Sequence, residues 1–252
     1  MLNSRRGCGK RATLRAGLGV LLLGLALCDA AEAVMLDQID DFQAPGTAGW
    51  GVGFSHPTPP IRVADGGPDG PGDAYLEAAA NGSAGAGGRL AVFNTTQWSG
   101  DYIGEDVLSL GLDVIVLSGS DVSLRLGIQG PGGTFASAAP VIVTAGSGWQ
   151  SVELSLDGPD LIALTPLPDL AATLSALSEL RLIHADAAPV GGGTGAAAGE
   201  FIDTIAGFDN LIALPEPSQS VLLASGGATL VGLARRRQRF CTPTESASPA
   251  RR

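Results

Sequence analysis

Apolar and polar residues alternate along three stretches in the middle of the chain, at residues 110–116, 122–128 and 152–156. A period of two places one set of side chains on a buried strand face and the other in water, as in antiparallel sheets with one solvated face. Breaks rich in Gly, Pro, Asp and Ser separate these stretches and favour an all-β sandwich. Further strands are predicted at residues 74–79, 89–94, 140–144, 180–184 and 208–214.

One short helix interrupts the predicted strands. Asp169 has a side chain that caps helices, and Leu170, Leu174 and Leu177 follow it at helical spacing. We expect this helix to close one end of the sandwich. The Gly- and Ala-rich residues 191–199 carry too little apolar mass to form an element, and they are predicted to be a loop.

The first 33 residues have the three parts of a secretory signal peptide. Five Lys and Arg residues without an acid precede an apolar stretch of 13 residues at 16–28. Residues 31–33, Ala-Glu-Ala, have the small-x-small pattern that signal peptidase cleaves. An N-terminal anchor helix is the alternative, which the shortness of the apolar stretch disfavours. Residues 4–10 leave a twin-arginine variant of the signal open, and Cys28 leaves a lipoprotein variant open.

The other end of the chain, residues 215–239, combines three features. Pro215, Glu216 and Pro217 end the last predicted strand, because proline cannot donate to a strand ladder. Residues 218–234 follow without a charge, and as a helix they would cover about 26 Å, close to the thickness of a hydrocarbon core. The arginines directly after this predicted transmembrane helix are Arg235, Arg236, Arg237 and Arg239. Such arginines are held on the cytoplasmic side of a membrane.

This order of Pro-Glu-Pro, apolar helix and arginine cluster resembles the PEP-CTERM sorting signal of Gram-negative bacteria. The resemblance implies that an exosortase processes the tail, after an inner-membrane intermediate, and that the protein reaches the outer surface or the extracellular matrix. Proteins with such tails are often found in species that make exopolysaccharide, which is therefore an implied partner. Residues 240–252 extend beyond the usual end of such a signal and are predicted to be a disordered tail. An ordinary C-terminal anchor is the alternative.

The predicted extracytoplasmic domain, residues 34–214, is strongly acidic. It contains 21 Asp and Glu residues against four Arg and no Lys, a formal charge of −17. Such a charge repels phosphates, so nucleic acid is excluded as a partner, whereas divalent cations and neutral sugars remain suitable ligands. The three cysteines lie at positions 8, 28 and 241, so the domain has neither a disulfide nor a thiolate metal site.

Residues 39–43 and 207–212 resemble the first and last strands of galactose-binding-like jelly rolls, the fold of many carbohydrate-binding modules. The resemblance implies a jelly-roll-like β-sandwich with one structural Ca²⁺, held by acidic residues near both ends of the domain and by an early glycine-rich loop, here residues 65–73. Calcium takes six to eight oxygen ligands, and such a loop offers carboxylates and carbonyls. Turn residues on an acidic surface are the alternative interpretation. The predicted ligands are Asp41, Asp65, Asp73 and Asp209.

Sugar binding requires exposed aromatic faces on which pyranose rings can stack. Trp50 and Trp149 are predicted to be core or capping residues, since aromatic residues dominate cores. Trp98 and Tyr102 lie in a polar, loop-like segment, and we predict that they line a glycan-contacting patch.

The sequence contains few groups for catalysis. The only histidines are His56 and His184, and no serine lies in a G-x-S-x-G elbow. We therefore predict a non-catalytic binding or structural module. Two alternatives stay open, a secreted glycan-active hydrolase that uses paired carboxylates and a passive acidic coat protein.

Overall fold

The computed structural model describes residues 33–190 and 197–215. These residues form one short α-helix, α1 (Leu170–Leu174), and twelve strands. The strands are β1 (Ile39–Asp40), β2 (Ile61–Val63), β3 (Tyr75–Asn81), β4 (Ala91–Asn94), β5 (Ser109–Gly119), β6 (Val122–Gly130), β7 (Gly133–Ser137), β8 (Val141–Val143), β9 (Gln150–Ser155), β10 (Leu161–Ala163), β11 (Glu179–His184) and β12 (Asp203–Leu214). The predicted signal peptide and all of the sorting tail beyond Pro215 lie outside the described residues, and both stay predictions.

Two antiparallel sheets of six strands each form a sandwich. Sheet 1 has the order β2-β3-β12-β5-β9, and β1 also pairs with β12. Sheet 2 has the order β10-β7-β6-β11-β4, and β8 also pairs with β6. The predicted all-β, jelly-roll-like β-sandwich with one short helix is therefore confirmed.

Every stretch predicted to be a strand contains one, and the helix begins where the sequence indicates. The Asp169 side chain caps α1 by accepting a hydrogen bond from the Ala172 N–H (2.9 Å). Leu177 lies beyond the helix but is buried, so its spacing marks a core position rather than a further helical turn. Four strands were not predicted from the alternation, namely β1, β2, β7 and β10, because each is too short or too poor in apolar residues.

The hydrophobic core lies between the facing sides of the two sheets. Leu110 and Phe208 contribute to it from sheet 1, and Leu124 and Leu126 contribute from sheet 2, all of them fully buried. These leucines occupy the alternating apolar positions that predicted β5 and β6. The core is thus the direct result of the period of two in the sequence.

The segment before β1 and the end of β12 lie together. The Asp37 N–H donates to the Ala213 carbonyl (3.0 Å), and the Ala213 N–H donates to the Gln38 carbonyl (3.0 Å). At the same end, the Val34 N–H donates to the Ser99 carbonyl (2.8 Å). Within the part of the chain that the structure describes, no helix has the length and apolarity needed to cross a membrane.

Candidate functional site

Trp98 and Tyr102 are fully buried, each with 0% of its surface exposed. The Tyr102 hydroxyl donates to the Trp98 carbonyl (2.9 Å), and burial raises the pKa of Tyr102 above its ordinary value. The prediction that these two residues line a glycan-contacting patch is wrong, because a sugar cannot stack on a ring without exposed surface. Their polar neighbours in the sequence suggested an exposed loop, but the segment packs against the core.

Asp40 explains why this segment turns inward. Its Oδ2 atom accepts hydrogen bonds from two indole nitrogens, those of Trp50 (2.7 Å) and Trp98 (2.6 Å). Burial raises the pKa of Asp40, although both indole donors act to lower it. Two buried tryptophans thus satisfy one buried carboxylate, which is a structural arrangement rather than a ligand site.

The glycine-rich loop at residues 65–73 folds back on itself at the edge of sheet 1. The Gly67 N–H donates to the Asp73 carbonyl (2.9 Å), and the Gly72 N–H donates to Asp65 Oδ1 (2.5 Å). The Asp65 carboxylate therefore stabilises the loop itself. Asp73 contributes as well, since its Oδ2 atom accepts from the Asp69 N–H (2.8 Å) within the same loop.

Trp149 holds this loop against sheet 1. Its indole nitrogen donates to the Gly66 carbonyl (3.0 Å), and its ring meets Tyr75 edge to face with centroids 5.3 Å apart. Both rings cover Gly207, where an added Cβ would lie 3.0 Å from each of them. Only glycine leaves room for the rings at this position, and Asp209 follows two residues later on the same strand. The capping role predicted for Trp149 agrees with these contacts.

Asp209 is a buried carboxylate with one unsatisfied oxygen. None of its surface is exposed, and its Oδ1 atom accepts from the Asn210 N–H (2.8 Å). Its Oδ2 atom is buried without a hydrogen-bond partner. A methyl group on Gly67 would collide with Asp73 Oδ2 and lie 3.2 Å from Asp209 Oδ2, so both oxygens face the same glycine. An unpaired buried oxygen of this kind costs free energy unless a cation or a proton compensates it.

Asp41 belongs to the same cluster through Gln43. The Gln43 N–H donates to Asp41 Oδ1 (3.1 Å), and its side-chain amide donates to Asp73 Oδ1 (2.7 Å). The segment after β1 and the glycine-rich loop are thereby joined beside Asp209. Three of the four predicted ligands, Asp41, Asp73 and Asp209, are thus neighbours, although their carboxylate oxygens do not all lie within 4.8 Å of one another.

The fourth carboxylate of this cluster, Asp113, was not predicted. Asp113 lies directly opposite Asp209 on β5, and it accepts hydrogen bonds from Asn210 (2.9 Å) and from Ser151. The pKa of Asp209 is raised to about 7, chiefly by burial and to a smaller extent by the negative charges of Asp73, Asp113 and Asp41. The pairing of β5 with β12 was the signal that would have identified Asp113, but strand register is not visible in the sequence.

A different part of the surface contains a large concavity. A crevice of about 750 Å³, which we call the edge crevice, opens between α1, the start of β5 and the end of β9, the outer strand of sheet 1. Its apolar residues include Leu156, Leu170 and Leu174. A smaller cavity of about 260 Å³ adjoins it and is lined by residues 137–141. The residues that line both cavities are Glu153, Ser155 and Asp160.

The polar groups of the edge crevice are carboxylates and hydroxyls. Glu153, Asp157 and Asp160 line it and are all exposed, and none of the lining residues is Lys, Arg or His. Ser109 also lines it, and the hydroxyl oxygen of Ser109 is buried without a hydrogen-bond partner. A hydroxyl can donate and accept, so a polar group of a bound molecule could supply the missing hydrogen bond.

A third polar cluster lies on sheet 2. Among the described residues, His184, Asp186 and Glu200 are the one set of three metal-ligand types whose ligand atoms lie within 4.8 Å of one another. His184 Nδ1 accepts from the Ser123 N–H (3.0 Å), so the neutral ring carries its hydrogen on Nε2. Burial also lowers the pKa of His184. Its remaining nitrogen is therefore a donor, which does not fit metal binding.

Arg125 stabilises this cluster from within the fold. Its guanidinium donates to the carbonyls of Ala185 (2.7 Å), Ser137 (2.8 Å), Ala138 (2.8 Å) and Asp186 (3.0 Å). The side chain is buried, with 3% of its surface exposed. This arrangement connects β7 to the segment after β11, and we interpret it as structural.

No protein-family model matches the sequence, and no curated protein matches it. Among solved structures, the chain is similar to a family 11 carbohydrate-binding module from Clostridium thermocellum in complex with a β-1,3-1,4-mixed-linked tetrasaccharide. That similarity has 15% identity and a TM-score of 0.43, and it covers 72% of this chain and 98% of that chain.

A family 30 carbohydrate-binding module of a cellulosomal cellulase from Clostridium thermocellum has 13% identity and a TM-score of 0.36, with 73% of this chain and 96% of that chain covered. An exo-β-agarase has 13% identity and a TM-score of 0.47, and the similarity covers 73% of this chain but 25% of that enzyme. All of these scores are below 0.5, so the function of this chain has to be argued from its own residues.

Proposed function

We propose that this chain is an exported, non-catalytic glycan-binding module, sorted by an exosortase to the cell surface or matrix and associated there with exopolysaccharide. The edge crevice is the observation that supports a binding role. It combines exposed carboxylates and a hydroxyl with accessible apolar side chains such as those of Ile103 and Leu170. Pyranose rings present the same combination, since hydroxyls surround apolar C–H faces, and pockets for small ligands have this composition.

The crevice has a volume of about 750 Å³, which lies in the range of small-ligand sites. Together with the adjoining cavity it continues along the edge of the sandwich from α1 to residues 137–141. The family 11 module named above was solved with a tetrasaccharide, which is a fact about that protein. For this chain, the proposal depends on the lining of its own crevice.

A hydrolase is the less favoured function. Glycosidases use one carboxyl group that an apolar enclosure keeps protonated. Glu153, Asp157 and Asp160 are all exposed and lack such an enclosure. A turnover assay on a panel of polysaccharides tests this point, and release of reducing ends by the purified chain would establish an enzyme.

We also propose that one Ca²⁺ stabilises the domain beside Asp209. Asp209, Asp73 and Asp41 would hold it once their carboxylates close around the ion. Asp209 Oδ2 lacks a hydrogen-bond partner, and Asp73 Oδ2, which accepts from the Asp69 N–H (2.8 Å), faces the same glycine, Gly67. Calcium favours carboxylate oxygens, and the ion would offset the mutual repulsion of these groups. Asp65 would contribute by shaping the loop.

Glycan binding can be tested with the full-length chain, purified in mild detergent, by affinity electrophoresis against a panel of polysaccharides. Ala171 is an exposed residue of α1 that lines the edge crevice, so Ala171→Trp would fill it. We expect this variant to lose binding at least tenfold. Ala176→Trp is the matched control, since Ala176 is exposed but does not line the crevice. Equal binding by all three proteins would contradict the proposed site.

Export and sorting need a separate experiment. Cell fractionation with intact-mass analysis should find the chain beyond the inner membrane, cleaved after residue 33 and near Pro215, Glu216 and Pro217. Replacement of these three residues by alanine should retain the protein in the inner membrane if an exosortase recognises them. A full-length product in the cytosol, with both ends intact, would refute the proposed route.

A further inference from the structure

The edge crevice is negative throughout. Its three carboxylates, those of Glu153, Asp157 and Asp160, are accompanied by no basic side chain. The ion pairs between described residues involve Arg181 and His184, so none of the three carboxylates is paired. The surrounding domain carries a formal charge of −17 and contains no lysine. A cationic ligand would therefore meet no positively charged side chain that repels it or competes for the carboxylates within the crevice.

The carboxylates also have free hydrogen-bonding capacity. Asp157 Oδ1 accepts from the Gly158 N–H (2.8 Å) at the start of a short 3-10 turn. The side chains of Glu153 and Asp160 accept no hydrogen bond from the described residues. Ionised carboxylates are acceptors only, so groups that donate several hydrogen bonds satisfy them best.

We propose that the edge crevice selects glycans that carry free amino groups on their sugar rings. An ammonium group donates three hydrogen bonds and carries the complementary charge. On an amino sugar it is attached directly to the ring, so it lies beside the apolar C–H face. The crevice has matching residue types, since the exposed Ile103 and the half-buried Leu108 and Leu170 line it together with the carboxylates.

The buried hydroxyl of Ser109 is an independent indication of a ligand. It lines the crevice without a partner, and a sugar hydroxyl could supply the missing hydrogen bond. A small inorganic cation would satisfy the carboxylates but would leave the apolar side chains uncovered. Glycans built from uronic acids are disfavoured, because their carboxylates would face three like charges.

The inference rests on the proposed glycan-binding function, and it specifies the class of glycan. Exposed ion pairs are weak, each changing an affinity by about fivefold at most. Three of them together should favour an amine-bearing oligomer over its N-acetylated counterpart by about tenfold at low ionic strength.

The test measures the affinity of the full-length chain, in mild detergent, for four probes of equal length. These are a glucosamine tetramer, its N-acetylated form, a mixed-linked glucan tetramer and a uronate tetramer. We expect the glucosamine tetramer to bind about tenfold more tightly than the two neutral tetramers and the uronate not to bind, with the preference weakened in 0.3 M salt.

A charge-neutral crevice separates the electrostatic preference from binding itself. The variant Glu153→Gln/Asp157→Asn/Asp160→Asn should lose the preference for amines while still binding the neutral tetramers. Its matched control neutralises three exposed carboxylates away from the crevice, as Asp37→Asn/Asp121→Asn/Asp203→Asn. We expect the control to retain the preference.

Three results would overturn the inference. Equal affinities for the amine-bearing and N-acetylated tetramers would refute the preference and leave the glycan-binding function standing. Binding of none of the tetramers would refute both. Tighter binding of an oligoarginine peptide that displaces the glucosamine tetramer would identify a basic peptide as the ligand class instead.

Discussion

The indole nitrogen of Trp98 lies 2.6 Å from Oδ2 of Asp40, a residue 58 positions earlier in the chain. Trp50 donates to the same oxygen, so two of the three tryptophans meet at one buried carboxylate. The contact joins the loop after β4 to β1 inside the fold. We therefore expect the loss of Trp98 to lower the free energy of unfolding rather than the affinity for a ligand.

Trp98→Phe tests this role. The variant removes one charge-assisted hydrogen bond from Asp40 and leaves a small cavity, so we expect unfolding to require about 2–4 kcal/mol less free energy. Urea denaturation followed by fluorescence measures the loss. Trp149→Phe is the matched control, because it removes a single hydrogen bond to a carbonyl at the half-buried Trp149 and should cost about 1 kcal/mol. A Trp98 variant as stable as the wild type would contradict the importance of the contact.

The raised pKa of Asp209 predicts how the stability of the domain depends on pH in the absence of calcium. Its folded pKa of about 7 lies above the ordinary value of 3.8, so the folded state binds this proton more tightly than the unfolded state does. Its contribution is fully present below pH 4 and is lost as pH rises through 7, by a few kcal/mol, because each unit of pKa corresponds to about 1.4 kcal/mol. Melting temperatures between pH 5 and pH 8, measured in EDTA, should therefore fall as pH rises.

Asp209→Asn isolates this effect. His184 acts in the opposite direction, because its lowered pKa makes its contribution present above pH 6.5 and lost as pH falls. The difference between the wild type and Asp209→Asn removes the contribution of His184. Parallel pH profiles for the two proteins would show that Asp209 does not titrate as its burial predicts.

Bound calcium should offset the loss of stability that accompanies the ionisation of Asp209. An ion that binds the native state raises the melting temperature by mass action, so excess Ca²⁺ should stabilise the wild type and EDTA should not. Gly67→Ala should abolish this response, because the added methyl group would occupy the space that Asp73 Oδ2 and Asp209 Oδ2 face. Asp203→Asn, on the same strand β12, is the control that should retain it. Identical melting curves with EDTA and with calcium would exclude the ion.

Arg125 is predicted to be irreplaceable even by lysine. Its guanidinium donates four hydrogen bonds to carbonyls, a geometry that an ammonium group cannot reproduce. We expect Arg125→Lys to cost about 2–4 kcal/mol of unfolding free energy. Arg181→Lys serves as the control. Arg181 is half-buried over Phe93 and paired with Glu179, and its loss should cost less than about 1 kcal/mol. Equal effects of the two substitutions would contradict this interpretation.

The fold was predictable where local pattern determines it. The alternation at residues 110–116 and 122–128 places Leu110 and Leu124 in the core, as observed. The strand β7 was not predicted, because it contains few apolar residues and is defined by its hairpin with β6. The environment of Trp98 could not be predicted either, since its partner Asp40 is distant in sequence and its immediate neighbours are polar.

The candidate sites show the same division. Resemblance to jelly-roll modules indicated Asp41, Asp65, Asp73 and Asp209, and the structure makes Asp41, Asp73 and Asp209 neighbours without bringing all three to ligating distance. Asp113 joins them only through the register of β5 and β12. The edge crevice was not predicted, because Ser109, Glu153 and Leu174 come from three separate elements and no local motif connects them.

The position of β12 has a mechanical consequence. The strand lies between β3 and β5 and ends at Leu214, directly before Pro215. A pulling force applied through Pro215 would act along the strand, so its hydrogen bonds to both neighbours would be loaded in shear and would have to break together. A domain tethered at this point would resist detachment by flow better than one whose tether continued from a peripheral strand, which could be peeled off one bond at a time.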